Sequence, residues 1–323
     1  MAQISIVIPN YNGSEYLKGC LDSLQNQTMQ DFDICVVDDG STEGSIAQMV
    51  YSYPRTRLIE RRENGGFAVA VNAGIKGTTS PYIILLNNDT TVASDFVENL
   101  YKAIEPRPSC FSAQAKLVNM YNQTLIDDAG DFYSTLGWAF ARGKGRSVAD
   151  FIFRSNVFAA CAGAAIYRRE GFDTIGLFDE EHFCYLEDID IGYRAKLHGY
   201  YNFYEPTAIC YHAGSATSGS QYNEFKVKLS ARNSIYLAYK NQLPWQKFFN
   251  APSMWLGRVI KRSYFAKKGL LKAYNEGIKE GKEFIKTPQA AAHKVNFTSK
   301  MHSRSFEIQW EMFIGTLRRV FNF

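Results

Sequence analysis

No Cys-x-x-Cys pair occurs in this chain, and its six cysteines (Cys20, Cys35, Cys110, Cys161, Cys184 and Cys210) are scattered without paired spacing. Zinc sites and disulfide frameworks need such spacing, so the thiols read as small buried hydrophobes of a reducing compartment. No run of about 18 apolar residues is present, so no segment is expected to span a bilayer. The amino terminus lacks a charged stretch followed by an apolar one, because residues 4–8 are a short run that Pro9 interrupts. No secretory leader is therefore expected, and the expected location is the cytoplasm, up to the inner face of the plasma membrane. Internal repeats and low-complexity tracts are absent. So is the Gly-x-Gly-x-x-Gly turn that a dinucleotide-dependent oxidoreductase carries after its first strand.

The 323 residues suffice for one large domain and a smaller appendage. With 46% hydrophobic and 21% charged residues, the composition is that of an ordinary globular protein. The 20 Tyr lift the aromatic share to 15%, which suits stacking on sugar rings and equally suits an aromatic core. Net charge is only +4, yet residues 1–225 hold 17 Lys and Arg against 27 Asp and Glu, whereas residues 226–323 hold 19 against 5. Two surfaces of opposite sign are expected, and the basic one suits phosphates of lipid head groups or of nucleic acid. Nucleic acid is the weaker option, because the basic part contains no recognisable binding module.

Residues 4–8 read as a strand, closed by Pro9-Asn10-Tyr11-Asn12-Gly13. Leu17, Cys20, Leu21 and Leu24 follow at helical spacing, with Ser14 as the expected N-cap. Strands are expected again at 34–37, 57–60 and 82–86, and helices at 46–51 and 67–75. This alternation implies an α/β fold with a mostly parallel central sheet flanked by helices. Ligands of such sheets bind beyond the carboxyl ends of the strands. Pro9 to Asn12, Asp38-Asp39 and Asn87-Asn88-Asp89 all fall there. One cluster of Asn, Asp and Gly is an ordinary turn; three at strand ends indicate a site. From 105 to 170 the pattern is less regular, with short strands and glycine-rich loops, and from 226 onward it is helical and basic.

Five stretches occur in a telling order. They are Ser5-Ile6-Val7-Ile8-Pro9-Asn10-Tyr11-Asn12, Val36-Val37-Asp38-Asp39-Gly40-Ser41-Thr42, Asn64-Gly65-Gly66-Phe67 with Asn72, and Leu85-Leu86-Asn87-Asn88-Asp89. The fifth is Tyr185-Leu186-Glu187-Asp188-Ile189-Asp190 with Arg194. Together they resemble family 2 glycosyltransferases, with the Asn-x-Asp variant familiar among rhamnosyltransferase-like members. The resemblance implies a GT-A fold over residues 1–225, with a nucleotide-binding half (1–105) and an acceptor-binding half (106–225). A helical basic C-terminal extension (226–323) follows.

By that resemblance Asp39 hydrogen-bonds the pyrimidine base of a nucleotide-sugar donor, in a pocket with Pro9 and Tyr11. Asn64, Asn72 and Asn88 are further nucleotide-binding candidates. A carboxylate accepting a base N–H and a base stacking on Tyr11 are sensible chemistry; a turn Asp capping the next helix is the bland alternative. Asn87-Asn88-Asp89 stands where the family carries Asp-x-Asp, so the first carboxylate is here an amide. Asp89, Asn87 and His212, the last within Tyr211-His212-Ala213-Gly214-Ser215, are the expected ligands of Mg2+ or Mn2+. Such hard cations neutralise charge on a diphosphate leaving group. Asp188, with Glu187 beside it, is the expected catalytic base that takes the acceptor hydroxyl's proton in an inverting displacement. A helix N-terminus weakens such a base while Glu187 and Asp190 strengthen it, and the balance stays open. The alternative is a helix-start acidic cluster with an Asp190–Arg194 ion pair. Gly163 and Ala164 are expected to face the acceptor, since small residues let a sugar approach the backbone; tight strand packing explains them as well.

In the tail, Trp245, Phe248, Phe249, Trp255 and Leu256 interleave with Lys247, Arg258, Lys261, Arg262, Lys267, Lys268 and Lys272. The pattern suits peripheral contact with an anionic membrane, beside a lipid-linked acceptor. It suits equally an apolar face packed on the catalytic domain or on a second subunit of a homodimer. The expected partners are a nucleotide-sugar donor (dTDP-rhamnose first, a UDP-hexose second) and a glycan or lipid-linked acceptor, in assembly of cell-surface polysaccharide or glycolipid. A processive synthase would need spanning helices and a Gln-x-x-Arg-Trp sequence, and has neither here. The rival from another class is a non-catalytic nucleotide-sugar-binding protein with a degenerate metal site. Asn87 favours it; Asp89, Glu187 and Asp188 oppose it.

Overall fold

A computed structural model describes residues 2–214 and 222–321. The chain alternates β1 (Ile4–Asn10), α1 (Ser14–Gln25), β2 (Phe32–Asp38), α2 (Ala47–Tyr51), β3 (Thr56–Glu60), α3 (Phe67–Lys76) and β4 (Tyr82–Leu86). Next come β5 (Thr90–Val92), α4 (Phe96–Ile104), β6 (Cys110–Asn119), β7 (Ile126–Asp128), β8 (Asp131–Tyr133) and β9 (Ala139–Ala141). β10 (Ser155–Val157), β11 (Ala164–Arg168), α5 (Arg169–Ile175), α6 (Glu187–His198) and β12 (Tyr201–His212) complete the sheet-bearing part. The tail is helical: α7 (Glu224–Asn241), α8 (Pro244–Lys267), α9 (Leu271–Phe284), α10 (Pro288–Ala292) and α11 (Ser299–Phe321).

The main sheet runs β10-β12-β6-β11-β4-β1-β2-β3, with β5 on β12 and β7 on β6, while β8 and β9 form a separate hairpin. β4, β1, β2 and β3 are parallel, and β11 runs against both its neighbours. β1 is flanked by β2 and β4, so the connections leave it in opposite directions and a crevice opens at its carboxyl end. The central strands are buried on both faces, which accounts for their unbroken apolar runs. Ile4, Ile6 and Ile8 pack with Leu17, Cys20 and Leu24 of α1 and Phe96 and Leu100 of α4. Val7 faces the other way, toward Val71 and Ile75 of α3, Phe172 of α5 and Ile191 of α6.

Two local expectations are corrected. Ser14 is the first residue of α1 and Gly13 its N-cap; the Ser14 N–H is taken instead by the Glu43 carboxylate at 2.9 Å. Neither Asp38, the last residue of β2, nor Asp39 caps the next helix, since α2 starts only at Ala47 with Ile46 as its N-cap. Asp38 instead accepts from Asn10 Nδ2 at 2.9 Å and Ser41 Oγ at 2.6 Å, which ties the first two strand ends together.

The tail packs against the rest of the chain. Leu237, Leu243, Met301, Ile308 and Met312 share a core with Ile189, Tyr193 and Leu197 of α6. At its centre the buried Lys240 ammonium of α7 lies 2.6 Å from Asp179 and 2.9 Å from Asp190. Asp190 also accepts from Arg194 at 2.9 Å and from Asn241 Nδ2 at 2.7 Å. The Asp190–Arg194 pair foreseen from spacing is thus one edge of a buried network. Removing one partner of such a network strands the others in a medium that solvates them poorly. Lys240→Met should therefore cost about 3–5 kcal/mol in urea unfolding, or leave the chain insoluble; a loss under about 1 kcal/mol, as for an exposed pair, would refute the role.

Candidate functional site

The crevice at the end of β1 is a cavity of ≈ 600 Å³ lined by Pro9, Tyr11, Asp39, Asn64, Asn87, Asn88, Asp89, Gly163, Glu187, Asp188 and His212. Eleven of the thirteen expected site residues thus meet in one place. Asn72 does not: it is buried on α3, where Nδ2 donates to Phe178 O at 2.8 Å and Glu180 at 2.9 Å, tying that helix to the segment before α6. Ala164 is buried at the start of β11 within the core beneath the cavity. Ser215 lies outside the described residues.

Beyond the end of β2, Asp39 pairs with Arg61 and accepts from the N–H groups of Gly65 at 3.1 Å and Gly66 at 2.9 Å. Burial raises the Asp39 carboxyl above its ordinary range, against the pull of these donors. A carboxylate has about four acceptor positions, so few remain for a base edge. Asn88 donates to Asn10 Oδ1 at 2.7 Å, which fixes the loop after β4 to the loop after β1. Gly66 has φ of 86°, and a Cβ there would come within 2.5 Å of the Phe183 carbonyl. Only glycine lets the 64–66 loop and the 183–185 loop approach so closely.

His212, at the end of β12, lies between two carboxylates: Nε2 is 3.3 Å from Asp89 and Nδ1 is 2.7 Å from Asp127. Lys144 in turn holds Asp127 at 2.7 Å. Burial would lower the His212 pKa, but the two carboxylates raise it to about 9. Asp127 is opposed by burial yet held down to about 2 by His212 and Lys144. Asp89, the Asn87 amide and His212 offer an oxygen and nitrogen donor set that suits Mn2+ or Mg2+, with Asp127 orienting the imidazole as outer-shell carboxylates do. A protonated imidazole must lose its proton to ligate. Mn2+ affinity should therefore rise with pH up to about 9, about tenfold per unit, with one proton released per ion in calorimetry performed in two buffers. Affinity independent of pH between 6 and 8 would remove His212 from the ligand set.

Elsewhere in the cleft lining, α6 opens with Glu187 and Asp188. Ala162 N donates to Asp188 Oδ1 at 3.1 Å. Burial and then repulsion by Glu187 raise the Asp188 carboxyl well above its usual range. Burial lifts Glu187 to about 7, and its Oε2 has no hydrogen-bond partner among the described residues. Burial, with the Glu187 charge second, therefore outweighs the helix N-terminus, and the balance left open by the sequence falls toward a stronger base. The buried Asp128, raised to about 6, and Asp131 add charge beside this pair. Asp128, Asp131 and Cys161 bring their ligand atoms within 4.8 Å of one another, as do Asp179, His182 and Asp190, where Lys240 already sits. A Cβ on Gly163 would come within 3.0 Å of the Asn87 amide, so glycine keeps that wall open.

The loop leading into α6 is strained. Phe183 has φ of 60° and ψ of −67°, the centre of a γ-turn closed by Cys184 N to His182 O at 2.7 Å. Tyr185 and Leu186 also have positive φ. Asn233 of α7 holds this segment, with Nδ2 reaching the carbonyls of His182 at 2.9 Å, Cys184 at 3.0 Å and Tyr185 at 2.8 Å. Sequence reasoning missed Asn233, Asp127 and the cleft-lining Phe225 and Lys226, because each carries its meaning only in the folded chain. Cys161 and Cys184 are half-exposed cleft residues, unlike the four buried thiols.

A parallel sheet with amide- and acid-rich loops at its switch point, faced by an acidic helix start, is the GT-A arrangement of nucleotide-sugar transferases. The chain belongs to glycosyl transferase family 2, whose model matches residues 5–176. Glycosyltransferase GlyG of Streptococcus pneumoniae serotype 4 is 29% identical over 208 residues, 61% of this chain and 64% of GlyG, so the chain spans less than two-thirds of that relative. The N-acetylglucosaminyl-diphospho-decaprenol L-rhamnosyltransferase of Mycobacterium tuberculosis is 23% identical over 296 residues, 83% of this chain and 94% of the enzyme. Among solved structures, GalNAc-T7 with UDP, GalNAc and Mn2+ shares the fold at a TM-score of 0.59 and 15% identity, over 74% of this chain and 48% of that one.

Proposed function

We propose that this chain is an inverting, divalent-metal-dependent hexosyltransferase that moves a sugar from a nucleoside-diphosphate donor to a hydroxyl of a glycan or lipid-linked acceptor. The observation that carries the reading is that Asp39, Asp89 and Asp188 line one cavity. In it, Asp39 and Tyr11 bind the base, and Asp89, Asn87 and His212 hold Mg2+ or Mn2+, which when bound offsets negative charge on the leaving diphosphate. Asp188 takes the proton from the acceptor oxygen as that oxygen bonds to the anomeric carbon and the nucleoside diphosphate departs. The rhamnosyltransferase likeness supports dTDP-rhamnose as donor, with a UDP-hexose second, and supports a role in cell-surface polysaccharide or glycolipid assembly. Residues 1–105 then serve the donor, 106–225 the acceptor, and 226–323 brace the base and its loop.

A thermal-shift screen of nucleotide sugars with Mn2+ identifies the donor, since a ligand at about 100 times its dissociation constant adds about 2.7 kcal/mol. With that donor, Asp188→Asn should lower transfer at least about a thousandfold while donor binding persists. Because the Asp188 carboxyl is raised, the rate should climb with pH above the ordinary carboxylate range, and Glu187→Gln should move that rise to lower pH. Near-normal turnover by Asp188→Asn removes it as the base. Donor binding without transfer or hydrolysis by the unaltered chain favours the degenerate-site binder.

Among the described residues no helix is long and apolar enough to cross a membrane. The face formed by α8 and α11 is nonetheless apolar and exposed: Phe248 is 86%, Trp255 61% and Trp310 63% accessible, with Phe249, Leu256, Phe306, Phe313 and Val320 alongside. α8 holds Lys247, Arg258, Lys261, Arg262 and Lys267 and no acidic residue. Such a face suits an anionic bilayer at the cytosolic side. The full chain should co-sediment with vesicles containing phosphatidylglycerol, and Phe248→Ser with Trp255→Ser should release it. A dimer in light scattering with no sedimentation assigns the face to a second copy.

A further inference from the structure

Phe132, Phe140 and Ala141 of the β8–β9 hairpin help line a second cavity, of ≈ 380 Å³. Six cations line it, Arg142, Lys144, Arg146, Arg154, Arg318 and Arg319, with Asp150 as the carboxylate among its lining residues. Three of the six are matched: Lys144 with Asp127 at 2.7 Å, Arg146 with Asp150 at 3.5 Å, and Arg154 with Glu205 at 2.7 Å. Among the described residues, Arg142, Arg318 and Arg319 form no ion pair.

These three are held by rings. The Arg142 guanidinium lies 4.6 Å from the Tyr204 ring centroid and 5.6 Å from that of Phe151, Arg318 lies 4.4 Å from Phe132, and Arg319 lies 5.9 Å from Phe140. Ring contacts occupy the flat faces of a guanidinium and leave the N–H donors on its edge for an oxyanion. Arg142 spends one such donor on Ser155 Oγ at 2.6 Å, while its buried Nε has no hydrogen-bond partner. Arg142 and Arg318 repel each other. A concave site that gathers like charges and unspent donors is stable once an anion neutralises them.

The position of the pocket says which anion. Lys144 belongs to its lining and leads through Asp127 and His212 to Asp89 in the cleft. Arg318 and Arg319 lie on α11, followed at once by the exposed Val320 and Phe321 of the apolar face. A molecule with a phosphate here would have the cleft on one side and an apolar surface on the other. We propose that this arginine pocket binds the phosphate or diphosphate group of the acceptor, an inference that rests on the transferase reading above. The pocket would then anchor the acceptor by its anionic group while the hydroxyl to be glycosylated reaches Asp188.

The test uses the full chain in EDTA, with calorimetric titration of inorganic pyrophosphate and, separately, farnesyl diphosphate. Arg142→Gln with Arg318→Gln, and independently the exposed Arg319→Gln, should each weaken binding about tenfold or more, the weight of one charge-assisted hydrogen bond. Thermal melts exclude unfolding, and the single exposed change keeps the test valid should the double variant fail to fold. Tighter binding of farnesyl diphosphate than of pyrophosphate assigns the site to a lipid-linked acceptor. Equal affinity assigns it to free phosphate compounds and overturns the acceptor role. Absent binding by the unaltered chain, or unchanged binding by both variants, overturns the site itself. Donor hydrolysis, measured alongside, should be equal in all variants; its absence from the unaltered chain would count against the transferase reading and leave the pyrophosphate result standing.

Discussion

The architecture depends on one buried ammonium. Lys240 of α7 lies between Asp179, in the approach to α6, and Asp190, two residues beyond Asp188 on the same helix. Two carboxylates withdrawn from water need a cation and hydrogen-bond donors close by, and here Arg194, Asn241 and Tyr236 supply the rest. The acidic first part of the chain and its basic last part are therefore joined at this contact. A share of the tail's positive charge is structural and never reaches a surface. The carboxyl-terminal helices consequently form part of the scaffold that aims Asp188, and a chain cut at 225 would lose the support of α6.

The same physics, with cations withheld, shapes the cleft. Asp128, Asp131, Glu187 and Asp188 are gathered under low solvation with little compensating charge, so their protons are held more tightly than usual. Asp127 and Asp128 are adjacent in sequence, yet one is held down to about 2 and the other pushed up to about 6. Lys144 and His212 reach the first, and burial dominates the second. Environment divides neighbouring carboxylates between holding charge and handling protons.

Much of this was legible in the sequence, for stated reasons. Buried parallel strands announce themselves as short apolar runs, so β1, β2 and β4 fell where expected, and the half-exposed edge strand β3 followed from the alternation with helices. Loops at a switch point are polar, so Asp39, Asn87 and Asp89 could be singled out before their convergence was known. The long β6 and β12 were hidden, because their buried polar residues, Gln114, Asn202 and Glu205 among them, break the apolar pattern. Asn72 resembled a nucleotide contact because it travels with the Asn-Gly-Gly stretch, but one helical turn beyond it faces the 178–180 segment. Long-range partners such as Asn233 and Lys240 left no local trace, since an isolated Asn or Lys on a helix is by default a solvated one.

The γ-turn at Phe183 has a further consequence. Glycine would adopt positive φ at 183, 185 and 186 with less strain, yet this chain keeps Phe, Tyr and Leu there. It accepts conformational cost in return for two aromatic walls on the cleft. The geometry of those walls is held from behind by the single amide of Asn233 on α7, whose first turn also supplies Phe225 and Lys226 to the cleft lining. Variation at position 233 would thus retune the shape of the substrate chamber without altering any residue that lines it.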